Sequence, residues 1–488
     1  MILLMYGLPG LVLLAILFMR PQRPGYGRLL NIATVVNASI YLASTIFILA
    51  GVQLPVSFFS GNYLYIDMFG LYEVLIASIV FLLAALYARG YIRGLLKKKE
   101  IDRENLKLFY GAFNLLLIVI VFAFISNNLA LFWILLELTT ILSAILIVTL
   151  NARENVLAAL KYVFTASTAM LFSFIGIILI FAMTQQALGT GTLNWSELIV
   201  QAHSLPTPLF TLAFMFIFIG LAAKAGIVPF HTWLPPAHAK APSVVSALLS
   251  AVLLNTGIYG IIRLYAIAHR TPAIKQISLM LIIFGVVTVG IAAFSMLSRE
   301  NIKKLVAFSS IEHMGLMIIG LGLGTPVVLF WVLFHTLGHA LIKSLLFFSA
   351  GILHQEFGSN KFYDMKNVLS LQPLASLGLI VGGVAIIGTP MFPLFFSKLY
   401  ILIQLGEFSK PLLFLVLLLL LIVAASIAIF LIRTCCQTDE VKPAVRYRVP
   451  WVMKAPIITL MVMIFTIGIF FPQMLQNMLS GIVFSLGF

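Results

Sequence analysis

Charge is scarce in this chain. Of its 488 residues only 9% are Asp, Glu, Lys or Arg, against roughly a quarter in a soluble globular domain. With 62% hydrophobic residues, it carries more apolar surface than one core can hide, which excludes a soluble globular protein. Cysteine is scarcer still. Cys435 and Cys436 are the two present, and as neighbours they close no loop and ligate no cluster. An iron–sulfur centre needs a fuller ligand set than this. Acidic residues number 15 against 30 basic ones, a net charge of +15. In a soluble chain that excess would suggest nucleic acid. In an apolar one it reflects the Lys and Arg that gather in cytoplasmic loops. The first residues lack the basic segment that opens a secretory signal, so the N-terminus reads as a retained helix. The longest loop, near 184–208, is polar and mixed, and no loop is long enough to fold as a soluble domain.

What the sequence does contain is a series of apolar runs of about twenty residues, each sufficient to cross a hydrocarbon core of about 30 Å as a helix. About fourteen are expected, near 3–19, 29–52, 66–87, 106–125, 129–150, 156–183, 209–228, 244–266, 277–297, 305–323, 327–353, 374–403, 412–432 and 457–474. This predicts an all-α polytopic membrane protein. Basic residues cluster after odd-numbered spans: Arg20, Arg23 and Arg28; Arg93, Lys97, Lys98, Lys99 and Arg103; Arg299, Lys303 and Lys304; Arg433, Lys442, Arg446, Arg448 and Lys454. Arg270 and Lys275 are the main exception. The bias places these loops in the cytoplasm and both termini on the outer side of the membrane. Two spans are broken, the seventh at Pro229 and the twelfth at Gly388-Thr389-Pro390. Each has a lysine five residues from a proline, Lys224 before Pro229 and Lys398 after Pro393. Paired interrupted helices running in opposite directions point to a transporter with inverted repeats, although kinked spans alone are common.

Ionisable residues inside spans are functional candidates, because each costs at least about 2.5–3.5 kcal/mol at mid-bilayer. Glu137, Lys224, His335, His339, Lys343 and Lys398 are such residues. His335, His339 and Lys343 are spaced by four, so they form one stripe on a helix. Histidine titrates near neutrality, and a buried lysine is easily discharged by desolvation. A carboxylate brought to about 4 Å restores about 4 kcal/mol at an effective dielectric of about 20, enough to switch a poised lysine. A row of such pairs passes protonation sideways along the membrane. The bland readings are a structural ion pair for Glu137 and Lys224, a packing role for a single histidine, and interfacial snorkelling for Lys398. Glu312 and His313 lie near a basic loop and read equally as interfacial. Glu73 and Lys161 lie near span ends and stay open, and Asp67 reads as an interfacial loop residue.

The stretch from Lys224 through Pro229-Phe230-His231-Thr232-Trp233-Leu234-Pro235 to Ala237-His238 and Ala241-Pro242-Ser243 resembles the seventh-span signature of the antiporter-like subunits of respiratory complex I. Ser309-Ser310-Ile311-Glu312-His313-Met314-Gly315, and His335 through Lys343 followed by Leu345-Leu346-Phe347, are similar to that family's tenth- and eleventh-span motifs. The family also serves Mrp-type sodium/proton antiporters and membrane-bound hydrogenases. The resemblance covers about residues 60–430. It implies fourteen helices with two inverted five-helix repeats, here 106–270 and 271–435, between a three-helix segment 1–105 and a C-terminal loop and span 436–488. It also implies a proton path through Glu137, Lys224, His335, His339, Lys343 and Lys398, with Lys161, Glu312 and His313 as possible members. The chain itself is then a non-redox ion-pumping subunit without a cofactor. Its partners are other membrane subunits and a peripheral redox module carrying Fe–S and NiFe centres, and the transported ion is the proton or Na+. Within the family, the Ile311–Gly315 motif, Asn255 and the length look most like component F of hydrogenase-4-type formate hydrogenlyase complexes.

Three features depart from the family pattern. Ser250 and Asn255 stand where the eighth span often has Lys or His. Pro236 replaces a common Asp, and Lys240 stands where a neutral or acidic residue is usual. Two alternatives to a proton-translocating subunit of a redox complex stay open: a sodium/proton antiporter subunit, which the family also includes, and a scaffold that keeps the fold without conducting, which the eighth-span gap allows.

Overall fold

Runs of Leu, Ile, Val and Phe without interior polar breaks have one way to satisfy their backbone groups away from water, and the chain adopts it almost throughout. The computed structural model describes residues 2–18, 25–58, 62–437 and 447–488. In chain order the first helices are α1 (Ile2–Phe18), α2 (Tyr26–Gly51), α3 (Met68–Lys97), α4 (Asn105–Phe124), α5 (Leu129–Val148), α6 (Arg153–Leu188), the short α7 (Trp195–Gln201) and α8 (Thr207–Ala225). Next come α9 (Leu234–Lys240) and α10 (Ser243–Leu248), which runs through a π-helical turn, Leu249–Leu253, into α11 (Leu254–Ala268). Then follow α12 (Ile274–Met296), α13 (Ile302–Leu323), α14 (Pro326–Phe357), the single turn α15 (Val368–Leu371), α16 (Pro373–Ile387), α17 (Pro393–Phe408), α18 (Lys410–Cys435), α19 (Trp451–Phe470) and α20 (Gln473–Ser485).

Twelve of the described helices are long and apolar enough to cross a bilayer, counting α10–α11 as one, and two shorter apolar helices, Tyr6–Ile16 and Pro373–Ile387, accompany them. Three spans form the centre: α10–α11, α13 and α14 are enclosed on all sides. These are the helices richest in buried Ser, Thr, His, Glu and Lys. Around them α6, α12 and α18 turn Leu, Ile and Phe outward, as Phe164, Phe294 and Phe414 show.

Helix starts are fixed by side-chain caps that satisfy orphan backbone donors. Asp67 accepts from the Gly70 N–H at 2.8 Å, Asn128 from Ala130 and Leu131, and Asn301 from Lys304. Both expected breaks are present. α8 ends at Gly226 with φ +73°, before Pro229, and α16 ends at Gly388 with φ +90°, before Pro393 opens α17. A residue with a Cβ adopts either backbone only under strain.

The loops divide between two ends. At one, Asn151 N–H donates to Glu100 O, Asn301 bridges Lys361, and Asn367 N–H reaches Gln437 O. This end carries Lys97, Lys98, Lys99, Arg299 and Lys304, as the charge pattern predicts. Arg20, Arg23, Lys442 and Arg446 lie outside the described residues.

Several expectations need correction. The fold is not purely helical: Val56–Phe58 and Leu64–Ile66 pair as an antiparallel hairpin, too short for a sequence pattern to reveal. The 184–208 loop is structured, because α7 sits in it and Asn194 bridges Asn128. The last span begins at Trp451 rather than near 457, and α20 follows it with Leu479 and Ile482 buried. The eighth span is re-phased by its π turn.

Candidate functional site

The four-residue spacing of His335, His339 and Lys343 puts all three on one face of α14, and all are fully buried. Opposite them α13 presents Ser309, Ser310, Glu312 and His313, also buried. The expectation that Glu312 and His313 could be interfacial is therefore corrected. Both sit in the middle of the protein, because α13 is enclosed on every face.

From the second helix break inward, the side chains form a row. The Lys398 ammonium donates to Ile386 O at 3.1 Å and Ile387 O at 3.3 Å, the open C-terminal carbonyls of α16. Helix ends of that polarity favour a cation. Lys398 also meets the Glu312 carboxylate at 3.3 Å and is 6% exposed, so it is buried rather than snorkelling. The other Glu312 oxygen lies 3.2 Å from His313 Nε2, without hydrogen-bond alignment. His313 Nδ1 and His335 Nε2 share a proton position at 2.9 Å, and His335 Nδ1 is 2.8 Å from the Ser397 hydroxyl. His339 lies tilted by 55° against His313 with ring centroids 5.5 Å apart, and neither of its nitrogens has a partner among the described residues. One turn on, the Lys343 ammonium donates to Val306 O at 2.8 Å and to the Ser309 hydroxyl. Ser310 then shares a 2.8 Å hydroxyl bond with Ser250, inside the π turn of the eighth span.

Lys224 occupies the last turn of α8 before the first break, 1% exposed. Its ammonium donates to Leu136 O at 3.1 Å and to the Thr140 hydroxyl at 2.8 Å, both on α5. Glu137 lies on the same turn of α5 but is half-buried, and it accepts from the Ser167 hydroxyl at 2.9 Å while its second oxygen is buried without a partner among the described residues. The expected direct pair of Glu137 and Lys224 is open in this structure. Lys161 departs further from expectation: it is exposed on α6, outside the row, because that helix packs on α5 and α8 through its opposite side.

His238 was missed as a site residue. It lies on α9, fully buried, with its ring stacked on Phe347 at 5.0 Å and both nitrogens without a partner among the described residues. It is near enough to Lys343 and Lys303 to sense their charges. Its helix follows a break, so no periodic spacing linked it to the row. The supporting hydroxyls of Ser309, Ser310, Ser397 and Thr140 gave no signal of their own, since serine and threonine are common in packed spans.

At the basic end a cavity of about 410 Å³ is lined by Glu100, Asn151, Lys240, Lys303 and His354, among others. His354 Nε2 lies 2.9 Å from Glu100. Burial raises the proton affinity of Glu100, but His354, Lys98 and Lys303 outweigh it and hold the carboxyl below its usual range.

Comparison with known proteins agrees with this architecture. The family described as NADH:quinone oxidoreductase/Mrp antiporter, transmembrane, matches residues 126–425. A hydrogenase-4 component F homolog from Methylacidiphilum infernorum is 30% identical over 344 residues, 70% of this chain and 72% of that one. A chain of the archaeal membrane-bound sulfane sulfur reductase superposes with TM-score 0.85 at 24% identity, covering 99% of this chain and 97% of that one. A chain of the Mrp complex from Dietzia sp. superposes with TM-score 0.83 at 17% identity, covering 99% and 97%. At these identities the two superpositions speak to fold alone.

Proposed function

Since the chain belongs to the NADH:quinone oxidoreductase/Mrp antiporter transmembrane family, we propose that it works as a proton-translocating subunit of a multisubunit redox complex, of the membrane-bound hydrogenase or complex I-like kind. Counting α1 and the α16–α17 pair as crossings gives fourteen spans, with both termini on the outer side and the basic end in the cytoplasm. The two inverted repeats are residues 106–270 and 271–435. Iron–sulfur and nickel–iron centres belong to partner subunits, and this chain supplies the ion path.

The observation that carries this reading is the enclosed row Lys343, His339, His313–His335, Glu312–Lys398. Ionisable side chains in hydrocarbon are retained for ion movement far more often than for packing. Two imidazoles 2.9 Å apart can hand a proton on by exchanging tautomers. The cytoplasmic cavity beside Lys303 supplies protons through His238, whose free nitrogens call for water. Closure of Glu137 on Lys224, driven from a neighbouring subunit, stabilises the charged lysine and repels the proton on Lys343 toward Lys398. The Ser250–Ser310 hydroxyl bond gives the eighth span a neutral link to the row, which weighs against the scaffold reading. A sodium/proton exchanger would use the same row and differ in the ion its partners deliver.

The test is proton uptake by membrane vesicles containing the whole complex. Lys224→Ala and Lys343→Ala should each abolish uptake while the redox turnover of the partner module continues. Unchanged uptake in both variants would refute the reading.

A further inference from the structure

The eighth span has Ser250 and Asn255 in place of a titratable group beside the row, yet its second half is not without polar partners. Asn255, Tyr259 and Arg263 recur at intervals of four along α11, so they share one face. That face meets the start of α3. Asn255 Nδ2 lies 3.5 Å from the Glu73 carboxylate, Tyr259 accepts from Arg263 at 2.9 Å, and Arg263 holds Asp67 at 2.6 Å. Phe69 of α3 stacks on Tyr259 at 4.6 Å and lies under the Arg263 guanidinium at 5.0 Å.

The Asp67–Arg263 pair taken alone is a structural clamp. Glu73 is not. It is 1% exposed, the amide of Asn255 lies 3.5 Å from its carboxylate, and among the described residues it forms no salt bridge. A buried carboxylate without a counter-charge is costly in a packed span. Thr336, a neighbour of Glu73, follows His335 in α14, so Glu73 stands beside the proton row.

Beyond Asp67 there is a space for water. A cavity of about 240 Å³ is lined by Asp67, Arg263, Tyr65, Trp195, Ile199 and Ser485, among others. Arg263 Nε and Trp195 Nε1 are buried at its wall with no partner among the described residues. Gly481 and Ser485 of α20 are exposed at its rim. The end of the protein on which it opens is the one opposite the basic loops. From Glu73 to Asp67 is about 9 Å at 1.5 Å per residue, a gap that two or three waters span.

We propose that the space between α3 and α11 is an outward-facing proton half-channel, in which Glu73 takes the proton from the central row and the Asp67–Arg263 pair stands at the mouth. It rests on the proton-translocating reading above and adds a second exit, distinct from Lys398.

The experiment uses the whole complex in sealed vesicles of known orientation, with proton movement read by a pH-sensitive dye. Glu73→Gln is expected to slow translocation at least tenfold at unchanged assembly, and Glu73→Asp to recover most of it. A purely structural Glu73 would tolerate the isosteric Gln better than the shorter Asp. For the mouth, Ser485→Cys is placed in a Cys435→Ser, Cys436→Ser background and treated with a bulky membrane-impermeant thiol reagent. Labelling from the outer side should slow translocation at least threefold, and this arm decides the matter if Glu73→Gln fails to assemble. Wild-type rates in assembled Glu73→Gln, or in fully labelled Ser485→Cys, would overturn the half-channel. Lys343→Ala separates the two claims: if it abolishes translocation while these variants do not, the half-channel alone is wrong.

Discussion

Replacing Glu312 and Lys398 together separates the stability of the buried pair from its use in transport. The two charges meet at 3.3 Å in a site where Glu312 is fully enclosed. At an effective dielectric of about 20 their attraction is about 5 kcal/mol. What else holds the Lys398 ammonium is the pair of carbonyls of Ile386 and Ile387, a helix-end contribution of about 0.3–2 kcal/mol. Glu312→Gln therefore removes most of what holds the cation and leaves it buried beside a neutral amide. Stranding one partner of a buried pair costs about 3–5 kcal/mol. Adding Lys398→Met removes the stranded charge, so the double variant should regain most of the lost stability, a coupling that independent sites would not show. Transport should behave differently. If proton exit depends on the opening and closing of this pair, translocation falls at least tenfold in Glu312→Gln, in Lys398→Met and in the double variant alike. The measurements are thermal unfolding of the purified complex in detergent and dye-monitored proton uptake in vesicles. A double variant that translocates at the wild-type rate would refute the reasoning, as would one no more stable than Glu312→Gln.

Gly257→Ala should disturb Lys224 without touching a polar group: a Cβ there would lie 2.6 Å from Ala225 N, 0.8 Å short of ordinary contact at 3.4 Å. Overpacking of this kind costs about 1–3 kcal/mol, and displacement of α8 should weaken the Lys224–Thr140 bond and slow proton uptake, read in the same vesicles. Lys161→Ala, on an exposed face of α6, should leave the unfolding temperature of the isolated chain within about a degree of wild type, consistent with about 0.5 kcal/mol or less for surface changes. Glu100 is held below its ordinary range by His354 and two lysines despite burial, so its stabilisation is present above the unfolded value of about 4.3 and is lost as pH falls. Glu100→Gln should therefore lower the unfolding temperature at pH 7, and the difference from wild type should shrink in the acid range.

The parts of this protein that were legible in its sequence are those with a period or a break. The His335–His339–Lys343 stripe followed from spacing alone, and both broken helices followed from Gly and Pro. Lys224 and Lys398 were singled out because an ammonium in an apolar run is costly enough to outweigh the bland readings of a structural pair or of snorkelling. What depends on the mutual rotation of helices could not be read. Glu312 was undecided because its depth is set by how α13 is enclosed, not by its neighbours in the chain. Glu137 and Lys224 looked like a pair, yet Thr140 and Ser167 take the two groups instead. Lys161 was left open near a span end and faces outward. Asp67 read as an interfacial loop residue and proves to be a helix cap and the partner of a buried arginine. The inward position of His238 and the π turn at Leu249–Leu253 left no trace in composition, since both depend on backbone path after a break.

The π turn works as a phase offset within one rod. It holds one residue more than an α turn, and one residue of an α-helix is about 100° of rotation. At the start of the offset, the rod engages the proton row through the bond from its Ser250 to Ser310 of α13; beyond it, the rod engages α3 through Asn255, Tyr259 and Arg263. The two ends of a single helix thus address different neighbours, and their relative angle is stored in five residues. Were the turn to relax to α geometry, the far half would rotate by about that angle, and all three side chains would leave Glu73 and Asp67 in one movement. A torsional change of one residue at the centre of the protein would then be transmitted as a disconnection at its edge, with no displacement of the helix along its axis beyond about 1.5 Å.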